Sequence, residues 1–359
     1  MRARARIRVK VSTKIPVALL RRQLPDAAPL WGECLFLLDP DAQDYDWLVA
    51  IDDLAPARGE RRSRRIERVR CPPEHTLLVT TEPACIKSYG RRFTAQFAHV
   101  LTSQERWALP HPGRIHSQCG LVWIYGYSFG TGRARSFDAL CRQPPPTKSA
   151  SVSMVWSRKA ERHTFHHRRQ RLMRYLCDAV PELRLYGGGL RPLDDKAEAI
   201  DPHAYHVVIE NHIAHHHWSE KLADAFLGHA LPFYCGCPNV SEYFPAESLI
   251  PIPADRPDEA ATIIRASLAA GEHRRRAEAV AEARRLVLYE HNLFALLARI
   301  VSAHHAPGRR PAPGHVLLAR RALRHRHPGA ALQDLIDKTR ARLRCSHAWS
   351  KEGAAGVEP

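Results

Sequence analysis

The thirteen residues from Glu210 to Leu222, ENHIAHHHWSEKL, concentrate four histidines, two carboxylates and a lysine. Histidine and carboxylate side chains bind metal ions, whereas lysine binds phosphate. Metal sites separate their histidines by a few positions, and three consecutive histidines cannot all point inward from one loop. The chain also lacks an H-E-x-x-H motif. We therefore predict no metal here, and expect the histidines to line a phosphate-rich crevice or to face solvent.

The residues on either side of this segment predict how it is positioned. The apolar run Tyr205–Ile209 predicts a buried strand, and Ser219 is a good N-cap for a helix that follows. Glu220 and Lys221 then lie in the first helical turn. Free backbone N–H groups and a lysine at this position predict a site for phosphate or pyrophosphate.

The second half of the chain alternates short apolar runs with helical patterns, which predicts a parallel α/β sheet. The runs and helices are SVSMVW, a helix near 163–179, LRLYG, YHVVI, a helix from 219, LPFYC, SLIPI and DEAATIIRASLAA. Ligands bind outside the carboxyl ends of such strands. The arginine-rich stretch SRKAERHTFHHRRQRL follows the first strand, so two anion-binding elements are expected at one edge and predict a nucleotide diphosphate ligand.

The first half contains an alternating strand, RIRVKV, and the apolar runs ECLFLL, DWLVAI and HTLLVTT. The basic stretch 58–70 is predicted to be a surface helix or a loop. Three consecutive prolines in CRQPPPTKSA exclude a regular helix or central strand and indicate a linker. We predict an N-terminal domain (1–143), a linker (144–150), a C-terminal domain (151–302) and a basic, partly helical tail (303–359).

Composition limits the class of protein. The chain has 359 residues, 45% of them hydrophobic, which is enough for two domains with cores. Its formal net charge of +17 predicts a polyanionic partner or an arginine-rich surface. No nucleic-acid-binding motif is visible, so nucleic acid is not an expected partner. Nine scattered cysteines, no leader and no long apolar run predict a cytoplasmic protein without a membrane span.

The tail from residue 303 interleaves basic and apolar residues at helical spacing, interrupted at Pro328. This pattern has three interpretations: a solvated appendage, a helix packed on the first domain, or a basic amphipathic element that contacts a membrane surface. The last would tether the protein peripherally to the membrane.

The segment 205–252 resembles the donor-binding motif of the glycosyltransferase family 10 fucosyltransferases. Several anchors agree in order and spacing, which is more specific than a single short motif. They are Ile209-Glu210-Asn211, Ser219-Glu220-Lys221-Leu222, Leu231-Pro232-Phe233, Gly236, and Pro245 to Ile250 with Ser248.

Two further stretches extend the resemblance. VWSRKAERHTFHHRRQRLMRYL is similar to the family's arginine-bearing helix entry, and implies that Arg169 grips the donor diphosphate, with Arg168 and Arg171 as alternatives. In the first half, LLVTTEPA (Leu77 to Ala84) resembles the family's strand that ends in a Glu-Ser-Pro-like element, and implies Glu82 as the catalytic base.

The resemblance implies an α/β, GT-B-like fold of two Rossmann-like domains with a nucleotide-sugar crevice between them. It implies inverting transfer of fucose from GDP-fucose to a hydroxyl of a glycan acceptor, a bacterial-type surface polysaccharide or a lipid-linked glycan. Neither a metal nor a cofactor is expected. The implied base is Glu82, and the implied donor-binding residues are Arg169, Glu210, Asn211, His217, Glu220 and Lys221. Glu210 has an alternative, structural interpretation, in which it holds the loop through backbone N–H groups.

Two departures from the family pattern leave other functions open. His217 stands where the family has a tyrosine, and Trp218 where it has a β-branched residue. They favour the hypothesis of the same fold with another nucleotide-sugar donor. A third hypothesis, motivated by the net charge, is a non-catalytic basic protein that binds polyanions or membranes.

Overall fold

The computed structural model describes residues 6–120, 122–156, 165–188 and 191–351. The chain forms two compact units. The described part of unit 1 comprises 6–120 and 292–341, and that of unit 2 comprises the described residues of 122–291 together with 342–351.

The first stretch of unit 1 builds a mainly parallel sheet. Its elements are β1 (Ile7–Thr13), α1 (Val17–Arg21), β2 (Leu30–Trp31), β3 (Cys34–Leu37), β4 (Trp47–Ile51), β5 (Ile66–Arg68), β6 (Thr76–Val79), α2 (Arg91–Thr94), β7 (His99–Thr102) and β8 (Arg114–His116). Seven described strands pair in the order β2-β3-β1-β4-β6-β7-β8, all parallel except β2 with β3. The predicted strand RIRVKV is confirmed as β1, and the three apolar runs of this half form β3, β4 and β6. The basic stretch 58–70 forms a loop and then β5, so the helix alternative was wrong.

Unit 2 alternates strands and helices, as predicted. Its elements are α3 (Phe137–Arg142), β9 (Ser149–Trp156), α4 (His166–Ala179), β10 (Leu183–Gly187), α5 (Ala197–Ile200), β11 (His203–Ile209), α6 (Glu220–Leu227), β12 (Leu231–Cys235), β13 (Ile250–Pro251), α7 (Pro257–Ala270), α8 (Glu272–Arg275) and α9 (Ala277–Tyr289). The described strands pair in parallel in the order β10-β9-β11-β12-β13. The predicted α/β class, with a Rossmann-like parallel sheet in each unit, is therefore confirmed.

After residue 291 the chain returns to unit 1 as far as Ala341, and the described end of the last helix, 342–351, belongs to unit 2. This last part of the chain forms α10 (Leu293–His304), β14 (Val316–Leu318), α11 (Arg320–Arg326) and α12 (Pro328–Lys351). β14 pairs antiparallel with β5, and Leu317 and Leu323 are buried in the same core cluster as Leu48. Of the three interpretations of the tail, packing on the first part of the chain is correct for β14 and α11.

Helix α12 keeps the membrane interpretation open, because Leu332 and Leu335 are 61% and 60% exposed. No helix in the described chain is both long and apolar enough to cross a membrane. Contact of α12 with a membrane surface stays a prediction.

The units divide the chain at positions other than the predicted domain bounds of 1–143, 144–150, 151–302 and 303–359. The described residues 122–143, directly before the proline run, belong to unit 2. There the Asp224 carboxylate on α6 accepts the backbone N–H groups of Ile124 and Tyr125, each at 3.0 Å. Asn292 belongs to unit 1, since its amide donates to the Gln23 carbonyl at 2.8 Å. The prolines therefore connect α3 to β9 within one unit.

A buried ion pair lies on the sheet of unit 1. The Lys10 side chain is 0% exposed, and its ammonium lies 2.7 Å from a Glu67 oxygen and 2.9 Å from the Ala42 carbonyl oxygen. The second Glu67 oxygen lies 3.3 Å from the Arg65 guanidinium. Removing one partner of such a pair leaves an uncompensated buried charge, which costs about 3–5 kcal/mol.

We expect Lys10→Met and Glu67→Gln each to lower the free energy of unfolding by about 3 kcal/mol or more, and the double variant to lose less than the sum. Urea unfolding of the four proteins of this cycle measures both effects. Arg285→Met is the control, because its pair with Glu282 is exposed and should contribute little. Additive losses in the double variant would show that the two residues do not stabilise each other.

Candidate functional site

A cavity of about 180 Å³ opens in unit 2 beside the carboxyl-terminal halves of β9 and β11. Strand β10 lies on one side of β9 and β11 on the other, so the winding of the chain reverses between β9 and β11. Ligand sites in parallel α/β sheets form at this reversal. Five charged residues line the cavity: Arg169, Lys196, Glu220, Lys221 and Asp224.

The buried carboxylate of Glu210 organises one wall. Glu210 follows the last residue of β11 and is 0% exposed. One of its oxygens accepts the Ser219 backbone N–H at 2.8 Å, and the other accepts the Ser219 hydroxyl at 2.6 Å. The Lys221 ammonium lies 3.3 Å from the second oxygen. Glu210 thus fixes the start of α6, which is the structural role named as its alternative.

Ser219 is the N-cap of α6, as predicted. Its hydroxyl oxygen accepts two hydrogen bonds from Lys221, one from the backbone N–H at 3.4 Å and one from the ammonium at 2.9 Å. Glu220 and Lys221 therefore occupy the first turn, as the sequence indicated. The positive end of the helix and the lysine lie together at the cavity.

Both first-turn residues are charged at neutral pH. Burial alone would lower the pKa of Lys221, but the carboxylates of Glu220 and Glu210 outweigh it and raise that pKa above its ordinary value. Burial alone would raise the pKa of Glu220, but Lys221 and then Lys196 lower it to about 2. The wall of the cavity is therefore an ordered set of alternating charges.

Arg169, in the first turn of α4, is the most unusual group of the site. It is only 6% exposed, and its Nε and Nη2 atoms have no hydrogen-bond partner among the described residues. Burial lowers the pKa of Arg169, and the Glu210 carboxylate opposes this shift. Buried guanidinium donors are costly when unmatched, so oxygen atoms of an anionic ligand would satisfy them.

The two alternatives to Arg169 are placed differently. Arg171 is exposed and donates to the Asp255 carbonyl oxygen at 3.3 Å, and Arg168 does not line the cavity. The first half of the arginine-rich stretch, 157–164, lies outside the described residues.

Sequence reasoning missed two charged residues of the cavity. The Lys196 ammonium lies 2.7 Å from an Asp224 oxygen and 3.8 Å from a Glu220 oxygen. Asp224 follows Glu220 by four residues, and this spacing on one helical face could have indicated it. Lys196 comes from a loop before α5, where no sequence pattern distinguishes it.

Asn211 and His217 do not line the cavity in this structure, although both were expected at the donor. The His217 Nε2 lies 3.2 Å from the Asn211 side-chain oxygen, and His216 lies 2.6 Å from the Tyr243 hydroxyl. His212 and His217 are buried, so the prediction that the histidines line the crevice or face solvent is wrong for these two. Only His215 of the four is exposed.

No group of three or more metal-binding side chains occurs in the described part of the chain. A histidine that sequence reasoning did not single out, His206, does line the cavity. Its Nδ1 lies 2.8 Å from the Ser153 hydroxyl.

Glu82 belongs to unit 1, where it follows β6. Its backbone N–H donates to the Tyr89 hydroxyl at 3.3 Å, and its carbonyl oxygen accepts from the Gln104 amide at 2.7 Å. Unit 2 thus brings together Arg169, Glu220 and Lys221, whereas the expected base lies in the other unit.

The buried histidines predict a pH dependence of stability. Burial lowers the pKa values of His206 and His217 to about 3, so both are neutral in the folded protein. Because the unfolded value is about 6.5, their contribution is complete above pH ~6.5 and is lost as the pH falls toward ~3. We expect the free energy of unfolding to fall by about 2 kcal/mol per histidine between pH ~6.5 and ~5.

Urea unfolding across this pH range should show a shallower fall for His206→Gln and His217→Gln than for the wild type. His215→Gln is the control, since His215 is exposed and its replacement should keep the wild-type profile. Identical profiles for all four proteins would contradict the prediction.

No model of a known protein family and no curated protein matches the chain. Solved structures are similar to it, among them three with the following names. "Crystal Structure of alpha1,3-Fucosyltransferase" has 14% sequence identity, covers 86% of this chain and 93% of its own, and has a TM-score of 0.44. The structure of that name "with GDP-fucose" has 13% identity, coverages of 87% and 94% and a TM-score of 0.48. The one "with GDP" has 13% identity, coverages of 86% and 93% and a TM-score of 0.45.

Proposed function

We propose that this protein is a glycosyltransferase and that the cavity of unit 2 binds the diphosphate of a nucleotide-sugar donor. The observation that carries the proposal is the buried Arg169, whose Nε and Nη2 donors have no partner among the described residues and which lines a cavity with Lys221. A guanidinium fork, an ammonium group and a helix N-terminus are the groups that bind diphosphate oxygens well.

We further propose GDP-fucose as the donor, on the strength of the sequence motif. The resemblance to family 10 fucosyltransferases includes Glu210-Asn211 and Ser219 to Leu222 in register. The two residues that depart from the family pattern, His217 and Trp218, do not line the cavity. Trp218 packs against Phe244 with ring centroids 4.8 Å apart, and His217 is bonded to Asn211. Neither residue is therefore a reason to expect another donor at the diphosphate site. Transfer from a different nucleotide sugar is the second candidate function.

The proposed chemistry follows from the charges. As the donor bond breaks, negative charge develops on the departing diphosphate, and Arg169 and Lys221 would stabilise it. Glu220 would accept hydrogen bonds from the ribose hydroxyls. A carboxylate must take the proton of the attacking hydroxyl, and we assign that role to Glu82. The chain supplies the positive charge itself, so the mechanism requires neither a metal nor a cofactor.

The proposed acceptor is a hydroxyl group of a glycan, either a surface polysaccharide or a lipid-linked glycan. A lipid-linked acceptor would agree with the exposed Leu332 and Leu335 on α12, which could rest on a membrane surface. The expected cytoplasmic location belongs to the same proposal.

We expect Arg169→Met to weaken GDP binding about tenfold or more while leaving thermal stability unchanged or raising it. The reason is that methionine removes the unmatched buried donors but keeps much of the side-chain volume. If Arg169 had a purely structural role, its replacement would instead lower the thermal stability of the protein. Calorimetry with GDP, UDP, GDP-fucose and GDP-mannose, with and without chelator, measures binding, and thermal unfolding measures stability.

Arg171→Met is the matched control, because this exposed neighbour does not line the cavity and donates to a backbone carbonyl oxygen. Lys221→Ala should also weaken GDP binding, with its fold checked by circular dichroism because Glu210 loses a partner. Unchanged GDP affinity in Arg169→Met would overturn the diphosphate assignment. A folded wild-type protein without any response to nucleotides would overturn the proposed function.

For Glu82→Gln we expect GDP affinity to stay the same and turnover to fall by about 10²–10⁴-fold, since the amide cannot take the proton. Release of GDP from GDP-fucose in the presence of a pool of glycan acceptors measures turnover. Glu74→Gln, a half-exposed carboxylate in the same unit, should keep wild-type turnover. Wild-type turnover in Glu82→Gln would assign the base to another group.

A further inference from the structure

A second, larger cavity of about 770 Å³ lies in unit 1, at the carboxyl ends of β1 and β4. Lys14, the residue after β1, and Asp52 and Asp53, the residues after β4, line it. Strand β3 lies on one side of β1 and β4 on the other, so the winding of this sheet also reverses here. A cavity at this position of a parallel sheet, with a volume typical of ligand pockets, is the expected place for a ligand.

The lining of this cavity is strongly basic. Eight lysines and arginines line it together with three aspartates. Besides the strand ends, its walls come from the loop that contains Arg61 and Arg62, and from α11 and α12, which contribute Arg321 and Lys338. With Lys87 from the loop between β6 and α2, the cations come from five separate parts of the chain, all of which belong to unit 1.

All three carboxylates are engaged, two in ion pairs and one with backbone N–H groups. Asp52 lies 3.0 Å from the Lys87 ammonium and accepts the Tyr89 hydroxyl. Asp53 accepts the backbone N–H of Leu54 at 2.9 Å and that of Arg320 at 3.1 Å. Asp334 lies 2.8 Å from the Arg324 guanidinium. These contacts hold the walls together, and the three acids cannot balance the eight cations of the lining.

The remaining cations are not neutralised in the same way. No ion pair or hydrogen bond involves the side chains of Lys14, Arg61, Arg62, Arg321 or Lys338 within residues 6–120 and 292–351. Arg320 is largely buried: its guanidinium lies 5.5 Å from the centroid of the Tyr89 ring, and one of its nitrogens donates to the Ser88 carbonyl. Its buried Nε has no hydrogen-bond partner among the residues that the structure describes.

We propose that this cavity is a binding site for a compact ligand that carries several phosphate groups on a polyol or sugar. Unpaired cations around one concave surface, with a buried guanidinium donor left unmatched at its wall, are complementary to such an anion. The ligand is either a soluble phosphorylated saccharide or the phosphorylated headgroup of a lipid. The proposal does not rest on the function assigned to unit 2.

Inositol hexakisphosphate is the probe, since its six phosphates surround a compact polyol ring. Calorimetry at physiological salt should show one bound molecule per chain. The variant Arg321→Glu/Lys338→Glu should lose affinity by about tenfold or more. Neither replaced side chain has an ion pair or hydrogen bond among the described residues whose loss would unfold the protein.

The matched control is Arg265→Glu/Arg274→Glu, which changes the net charge equally at two exposed positions of unit 2. This variant should keep most of the affinity. Equal losses in both double variants would assign binding to the overall charge and overturn the site, and so would an absence of binding to the wild type. Lys221→Ala should bind the probe normally, and loss of binding in it would place the probe in unit 2 and overturn the proposal.

Vesicles of phosphatidylcholine with and without phosphatidylinositol bisphosphate distinguish the two sources of the ligand. If the ligand is a lipid headgroup, we expect the protein to bind only the phosphoinositide vesicles. The probe should displace it from them, and Arg321→Glu/Lys338→Glu should not bind them. A soluble ligand predicts probe binding without vesicle binding. Vesicle binding that survives both the probe and the charge reversal would contradict a lipid headgroup in this cavity.

Discussion

A carboxylate with no exposed surface has to be compensated where it lies, and the candidate site of unit 2 depends on how Glu210 is compensated. A buried charge costs several kcal/mol unless it is paired and hydrogen-bonded. Ser219 supplies a backbone N–H and a hydroxyl, and Lys221 supplies the charge. These contacts hold the N-terminus of α6 beside the end of β11. The same contacts place Lys221 at the cavity, so the structural role of this lysine and its proposed role in binding depend on one arrangement.

The charge balance also explains why Arg169 differs from the other cations. Lys221 lies between two carboxylates, and Lys196 is paired with Asp224. The Arg169 guanidinium receives only the more distant influence of Glu210, and two of its nitrogens have no described partner. An anion entering the cavity would therefore gain most from Arg169, while the paired lysines hold the shape of the wall.

Much of the fold could be predicted because strands in a parallel sheet are buried on both faces and appear as continuous apolar runs. Strand β11 is an example. The N-cap Ser219 could be predicted for another reason, because serine is a preferred residue at the start of a helix. The return of the chain to unit 1 could not be predicted, since β5 comes from a basic stretch and its partner β14 lies far away in sequence. Prolines indicate only that a regular helix or central strand is absent, and they do not distinguish a linker from a connection inside a unit.

The site was only partly predictable for a related reason. Local patterns indicated Lys221 and Glu220, because capping and helix position depend on neighbouring residues. They did not indicate Lys196, whose position depends on contacts with the distant α6. The number of histidines suggested a chemical role that two of them do not have in the structure. His216 and His217 instead hold a loop through hydrogen bonds with Tyr243 and Asn211.

The net charge of +17 had two interpretations, a dispersed arginine-rich surface or a local field. A dispersed surface would distribute its cations over solvated faces, with no reason to gather them in a concavity. The cavity of unit 1 instead combines eight cations with three aspartates, all three of which are engaged in the walls. Confining like charges around one space costs electrostatic free energy, which a bound anion would recover. Both sheets reverse their winding beside a cavity, but the two cavities differ, since unit 2 balances three cations with two carboxylates around a much smaller space. The difference in charge and volume argues that the two cavities bind different ligands.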